Sequence, residues 1–419
     1  MNRRLTTLMT AAIAALAAAL AAPAGARAAQ AAAAPGAKKF IVTFREGTTK
    51  AQREQAARAL GLTLKDDLAG LKVSVMESAG PITPESIDAS KAGPDVVQVE
   101  EDVYRNWLLD APASFQAAPL PSVDAIVRDL RGKRRKPASS PSDGSGSAGV
   151  PWGVQRVNAP AAWSSGEGAG VKVAVVDTGI DCTHPDLQCD FSAGMNILDP
   201  SSQPMDDNEH GTHVAGTIAG RGNGGPLGVA PKATLIPVKV LDANGSGSLS
   251  DIVKGIEWAA DNGADVINMS LGGPSGSAAM ERAVKYALSK GVVVVAAAGN
   301  SGPNPDTVGY PAGYPGVIAV AASDSNDQVA DFSSRGSAVA FIAPGVNVTS
   351  TVPGGGTATL SGTSMASPHV AGLAALAIER GAQGPDGVRA AFRAAATPLP
   401  GLAKTEEGYG MIDAAKLGR

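Results

Sequence analysis

The feature that most constrains the fold is a series of short, almost uninterrupted apolar runs between residues 171 and 322: VKVAVVD, ATLIPVKVL, ADVINMSL, GVVVVAAAG and GVIAVAA. Each is rich in β-branched residues and bounded by Gly, Asp or Asn. A strand that is apolar at nearly every position has no face for water and must be covered on both sides. Between the runs, SDIVKGIEWAADNG and AAMERAVKYALSKG carry apolar positions three and four apart and close at glycine, as helices do. Buried strands alternating with helices predict an α/β fold, a doubly wound parallel sheet with helices on both faces, over residues 149–419. Aromatics make up only 4% of the chain and glycine contributes 51 residues, a composition suited to helices packed closely on such a sheet. Reactive groups in these sheets gather at the carboxyl ends of the strands. The sequence holds no internal repeat and no coiled-coil heptads.

The first half of the chain has a different character. MNRR, the apolar LTTLMTAAIAALAAALAA and the small-x-small site Ala26-Arg27-Ala28 read as an export signal over residues 1–28. Alanine is weakly hydrophobic for a permanent span, and Arg3-Arg4 is a poor match to a twin-arginine signal. The mature protein is therefore expected to be secreted, extracellular or periplasmic, without a membrane segment after the signal is removed. Residues 36–108 predict a small α+β domain, with strands at KKFIVTF, LKVSVME and VVQVEEDV and a helix at TTKAQREQAARALG ended by Gly61. Residues 109–148 have the Pro/Ser/Gly composition of a linker, with the basic run RGKRRK as a target for nicking. A formal charge of −4 gives no basic footprint for nucleic acid. The two cysteines, Cys182 and Cys189, are expected to pair in an exported chain, because no second pair exists to complete a zinc site.

Four positions carry the candidate chemistry. Asp177 ends VKVAVVD and Asn300 ends GVVVVAAAGN; either type also serves as a plain turn former. His210 heads the helix pattern HGTHVAGTIAG, and His213 follows only three residues later, which does not fit the four-residue spacing of a zinc H-E-x-x-H helix. His184 lies inside the cysteine loop. In LSGTSMASPHVAG, Ser364 stands where a turn meets a helix, between Ser361 and Ser367. A serine there gains from the exposed N–H groups of the helix end. His369, five residues on, does not share a helix face with Ser364, so a base has to come from His210. A hydroxyl attacking an amide carbonyl needs a base, an anion that holds the base's tautomer, and donors for the oxyanion. Asp177, His210, Ser364 and Asn300 supply that set.

The blocks VAVVDTGID, HGTHVAGTIAG, INMSLGGPSGSAA, VVVVAAAGN and GTSMASPHVAG resemble the signatures of the subtilisin-like serine proteases, from about Val150 to the C-terminus. The resemblance implies a serine endopeptidase that needs no catalytic cofactor. In it Asp177 orients His210, His210 is base and then acid, Ser364 attacks, and Asn300 with the Ser364 N–H holds the oxyanion. It further implies strand-like binding of polypeptide substrates along Gly245, Ser246 and Gly247 and along Ser270, Leu271, Gly272 and Gly273. Ala296, Ala297, Ala298 and Gly299 would complete the primary pocket, with Gly309 at its floor. Small residues there predict preference for a large hydrophobic side chain, and Ser301, where some relatives carry an acid, predicts weak acceptance of basic ones. Residues 36–108 resemble the family's propeptide, an intramolecular inhibitor, and the chain is expected to work as a monomer. The family joins propeptide to protease directly, so the linker leaves three maturation sites open: after VYRNW, near the basic run, or near Gly149. Asp186 matches a carboxylate ligand of the family's structural calcium. The loop GRGNGGPLG is shortened, however, and Ala148 replaces an expected glutamine, which leaves the metal open.

Overall fold

The computed structural model describes residues 36–108 and 149–418. The export signal and the linker with its basic run lie outside them. The N-terminal domain consists of β1 (Lys39–Phe44), α1 (Lys50–Ala59), β2 (Leu62–Leu68), β3 (Val73–Ser78) and β4 (Val96–Glu101), forming an antiparallel sheet in the order β2-β3-β1-β4. α1 opens with a reciprocal cap between Thr49 and Gln52. β1 is buried on both faces from Phe40 to Phe44, and its period-two geometry gives the two faces different partners. Phe40, Val42 and Phe44 pack on Ala56 and Ala57 of α1, while Ile41 joins a cluster on the larger domain. A short strand, β5 (Tyr104–Asn106), ends the described part of this domain.

The larger domain has a nine-stranded sheet. Its strands are β6 (Lys172–Asp177), β7 (Met195–Asn196), β8 (Thr234–Lys239), β10 (Val266–Met269), β11 (Val293–Ala297), β12 (Ile318–Ser323), β13 (Val339–Pro344), β16 (Ala396–Thr397) and β17 (Met411–Ile412). Outside it run β9 (Ser246–Ser248) and the hairpin β14 (Val348–Val352) with β15 (Gly356–Leu360). The order is β16-β17-β13-β12-β11-β10-β6-β8-β7, and all neighbours are parallel except the β16–β17 pair. The main helices are α2 (His210–Ala219), α3 (Leu249–Asp261), α4 (Ala278–Ser289), α5 (Thr363–Glu379) and α6 (Gly384–Ala395), numbered with short helical turns left aside. Alternate strand residues feed opposite faces. Val173 and Val175 join α2 and α5 in one core cluster, whereas Ala174 and Val176 join α3 and α4 in the other.

α5 is apolar all round and runs through the core. Pro368 has no N–H, so the Ser364 carbonyl four residues earlier loses its helical partner; the Ser270 hydroxyl donates to it instead, at 2.9 Å. Cys182 and Cys189 are disulfide-bonded, with their Cα atoms 5.2 Å apart. A loop this short is stabilised by about 2.5 kcal/mol in the chain-entropy account. Among the described residues no helix is long and apolar enough to cross a membrane.

Candidate active site

Asp177 is the last residue of β6 and is fully buried. Its Oδ1 accepts the Thr178 N–H at 2.8 Å and the His210 Nδ1–H at 2.8 Å. With Nδ1 donating, Nε2 is left as the basic nitrogen of the neutral ring. His210 is the first residue of α2, and Gly211 allows the helix to begin this close to the strand end. A methyl on Gly211 would lie 2.0 Å from the Gly179 carbonyl oxygen. Burial of the ring opposes its protonation. The charge and hydrogen bond of Asp177, with the charge of Asp206, outweigh that and raise the His210 pKa above the ordinary imidazole value.

Ser364 is the second residue of α5, and its hydroxyl donates to the Ser270 carbonyl oxygen at 3.1 Å. Asn300 stands three residues past β11. Its Oδ1 accepts the Thr363 N–H at 3.0 Å and the Thr363 hydroxyl at 2.9 Å, which fixes the amide and turns Nδ2 the other way. A methyl on Gly362 would stand 3.4 Å from Asn300 Nδ2 and 3.6 Å from the Ser364 N. These two donors border one small space that the glycine leaves open.

The other histidines are structural. His213 Nε2 donates to the Val348 and Ala358 carbonyls at 3.1 and 3.2 Å, and burial lowers its pKa to about 3. His369 Nδ1 donates to the Met365 carbonyl at 2.8 Å, and burial lowers its pKa to about 4. His184 Nδ1 accepts the Asp186 N–H, and Nε2 donates to the Gly356 carbonyl at 3.0 Å. Among the described residues no group of three or more His, Cys, Asp or Glu is placed to hold a metal ion.

A cavity of about 520 Å³ opens beside Asn300, lined on the larger domain by Gly272, Gly273, Gly299, Ser301, Asp306 and Gly309, among others. Its two sides are stitched by reciprocal backbone bonds between Gly273 and Tyr310. Ser270, Leu271, Ala296, Ala297 and Ala298 are buried behind it rather than lining it: Leu271 and Ala296 join the core cluster of α3 and α4, Ala298 packs in a smaller cluster with Ile342, and the Ser270 hydroxyl bonds the Ser364 carbonyl. The N-terminal domain reaches into the same groove. β5 pairs antiparallel with β9, matching Arg105 to Gly247 and Asn106 to Ser246. The Trp107 N–H donates to Gly245 O and the Gly272 N–H to Trp107 O, each at 2.9 Å. The Trp107 indole, 3% exposed, donates to Gly247 O at 2.8 Å and joins the core cluster of Leu249 and Ile252. The Arg105 guanidinium lies close over Gly273: a methyl there would lie 1.6 Å from one of its nitrogens, so the arginine would have to move aside. Asp102 accepts the Ser250 N–H and hydroxyl at 2.8 and 2.7 Å, and Glu100 accepts the Ser277 hydroxyl and Ala279 N–H at 3.0 Å each. These two carboxylates cap the N-termini of α3 and α4, and burial raises both pKa values. Trp107, the one tryptophan of residues 36–108, ends VYRNW, and its anchoring role needs the docked structure to be seen.

The fold and this groove are those of a serine-type endopeptidase. The chain belongs to the subtilase family, whose model matches residues 168–411. An alkaline protease of Alkalihalobacillus alcalophilus is 51% identical over 288 residues, covering 67% of this chain and 73% of that protein. Subtilisin Savinase of Lederbergia lenta is 57% identical over 229 residues, 54% of this chain and 83% of the relative. Subtilisin E of Bacillus subtilis is 54% identical over 236 residues, 55% of this chain and 61% of the relative.

Trp107→Ala should free the tail, since truncating a buried tryptophan costs about 3–5 kcal/mol. Hydrogen exchange at the Gly272 amide should accelerate strongly, with the amides of β11 unchanged.

Proposed function

We propose that the protein is a secreted, self-processed zymogen whose Asp177, His210 and Ser364 hydrolyse peptide bonds through an acyl-enzyme. The observation that carries this reading is the 2.8 Å bond between Asp177 Oδ1 and His210 Nδ1, which presents a basic Nε2. The Ser364 hydroxyl turns from the Ser270 carbonyl toward that nitrogen as substrate arrives; such contacts tighten in the complex. Oγ attacks the carbonyl carbon while Nε2 takes its proton, and Asp177 stabilises the imidazolium. The oxyanion receives Asn300 Nδ2–H and the Ser364 N–H, aided by the positive end of α5. Nε2 then protonates the departing amine, and water, activated by the same ring, releases the acid.

Polypeptide substrates add as a strand along Gly245–Gly247 and Gly272–Gly273, the path the tail occupies. The glycine-lined cavity suits a large hydrophobic or aromatic residue before the cut. Its one acid, Asp306, stands exposed at the rim, where water screens it. Residues 36–108 act as the chain's own inhibitor by filling the groove, and the enzyme works as a monomer. The position of Trp107 and Leu108 favours a maturation cut just beyond VYRNW over one near the basic run or Gly149.

Structural calcium fits one feature of the loop over the disulfide. Asp186 Oδ1 is buried without a partner, and Gly225 leaves room for the carboxylate, since a methyl there would lie 1.9 Å from Oδ2. Asp186 would supply the charged oxygen and loop carbonyls the remainder, as a hard cation prefers.

Ser364→Ala should lower peptidase activity at least about 10⁴-fold, and a sulfonyl fluoride should label Ser364 alone. Because the His210 pKa is raised and the neutral ring is the base, kcat/KM should rise with pH along a limb centred above the ordinary imidazole value. If calcium is held, EDTA lowers the melting midpoint; an unchanged midpoint removes the ion from this reading. Docking should depend on Glu257, which lies against Gly70 among Asp66, Asp67 and Asp261, with Lys254, Arg53 and Lys290 as their counterions. Burial and then the charges of Asp261 and Asp66 push its pKa up to about 7. A carboxyl raised in this way favours docking below its free pKa and opposes it as pH rises through 7. Exchange protection of the Gly272 amide in full-length Ser364→Ala, relative to Glu257→Gln in that background, should fall about tenfold from pH 5 to pH 8.

A further inference from the structure

The His210 helix lacks a side-chain cap of the usual kind. Its N-cap residue, Glu209, makes no cap hydrogen bond and has φ of +105°, a conformation disfavoured for a residue with a side chain. The capping falls instead to a carboxylate four residues before His210. Asp206 is 3% exposed and accepts five hydrogen bonds. Its Oδ1 takes the Thr178 hydroxyl at 2.8 Å, the Asn208 N–H at 3.0 Å and the Glu209 N–H at 3.1 Å. Its Oδ2 takes the Thr212 N–H at 2.8 Å and the Thr212 hydroxyl at 2.6 Å. The Thr178 hydroxyl in turn accepts the Gly211 N–H at 2.9 Å.

These partners lie on both sides of the acid–imidazole pair. Thr178 follows Asp177 in the chain, while Asn208, Glu209, Gly211 and Thr212 surround His210. Asp177 holds His210 through Oδ1 alone, its buried Oδ2 having no partner, whereas Asp206 reaches both segments with two oxygens. We propose that Asp206 is a positioning residue for peptide-bond hydrolysis, clamping the start of α2 to the end of β6 and placing a second negative charge behind the His210 imidazole. This rests on the triad proposed above. The other charged or titratable groups on these two segments are Asp177, Glu209, His213 one turn along α2, and Asp207 with its partner Lys239. The Lys239 ammonium is bonded to Asp207 at 2.6 Å and to the Thr178 and Leu241 carbonyls, and it leaves the Asp206 charge unpaired. The charge of Asp206 contributes to the raised pKa of His210.

The test separates clamp from charge. Asp206→Asn keeps the shape but must turn a donor nitrogen toward either the Thr178 or the Thr212 donors, and it removes the charge. With a chromogenic peptide, kcat should fall about tenfold or more while KM changes little, because the defect lies in the base and not in the groove. The ascending limb of kcat/KM should move to lower pH. Thr178→Val breaks the bridge and keeps the charge, so kcat should fall while the limb stays in place. A folded Asp206→Asn enzyme with kcat and limb both within about twofold of wild type overturns the proposal. If Asp206→Asn does not fold, Thr178→Val decides: wild-type kcat in that variant overturns the clamp. His210→Ala, assayed in parallel, tests the triad separately, since retained activity there sinks the triad and not the hydrogen-bond network.

Discussion

The arrangement depends on one helix held in a single register inside the core. Fifteen of the 17 residues of α5 are buried, and its Ala, Gly and Leu surface would by itself pack almost equally well after a small slide or rotation. Polar groups remove that freedom. The Ser367 hydroxyl donates to Asn268 at 2.7 Å, Thr363 bonds Asn300, and Ser270 takes the carbonyl that Pro368 leaves unpaired. A slip by one residue would orphan all of these at once, in a region where an unmade buried bond costs about 1–3 kcal/mol. The same bonds set the beginning of the helix, so the register of the core and the position of Ser364 are one quantity.

Charge follows the same economy of means. Three histidines sit within or beside helices of the core, His213 and His369 fully buried and His210 partly exposed, and they differ by environment. His213 and His369 meet only carbonyl oxygens, and burial keeps them neutral, lowered to about 3 and about 4. His210 has Asp177 against it and Asp206 behind it, and its pKa moves the opposite way. Residue type supplies an imidazole; the carboxylates within reach decide whether it is a structural donor or a base.

Much of this was legible in the sequence because the elements that place the site are strongly patterned. The runs ending at Asp177 and before Asn300 are apolar enough to be read as central strands, and their last residues stand at carboxyl ends by construction. β2 carries no sustained alternating strand signal, because LTLKDDL has Lys and Asp at positions whose partners, such as Arg53 on α1 and Lys254 on α3, lie outside the strand. The pocket walls were only partly legible. A sequence places Leu271 and Ala296–Ala298 next to the glycines that line the cavity, but these side chains are buried, those of Leu271, Ala296 and Ala298 in core clusters, which only the assembled packing reveals. Asp206 and the caps from Glu100 and Asp102 were invisible for the same reason: an acid in a loop looks like any solvated acid until its donors are assembled around it.

On the proposed reading, the N-terminal domain makes a substrate groove and an inhibitor surface one device. Its tail is held by backbone bonds to Gly245 and Gly272, which read extended chain and not sequence, so any peptide in that path competes for the same donors. What distinguishes the tail is what it is attached to. Ile41, Leu68, Leu71 and Val73 share a buried cluster with α3 and α4, and Glu100 and Asp102 meet the helix ends with carboxylates whose desolvation is offset in part by the N–H groups they cap. The tail therefore acts at the high effective concentration of a tethered ligand, set by a surface remote from the chemistry. On the proposed reading, cutting the chain beyond Leu108 would not empty the groove. Occupancy would end only when the docked surface itself lets go, which places control of the enzyme on α3 and α4 and away from Ser364.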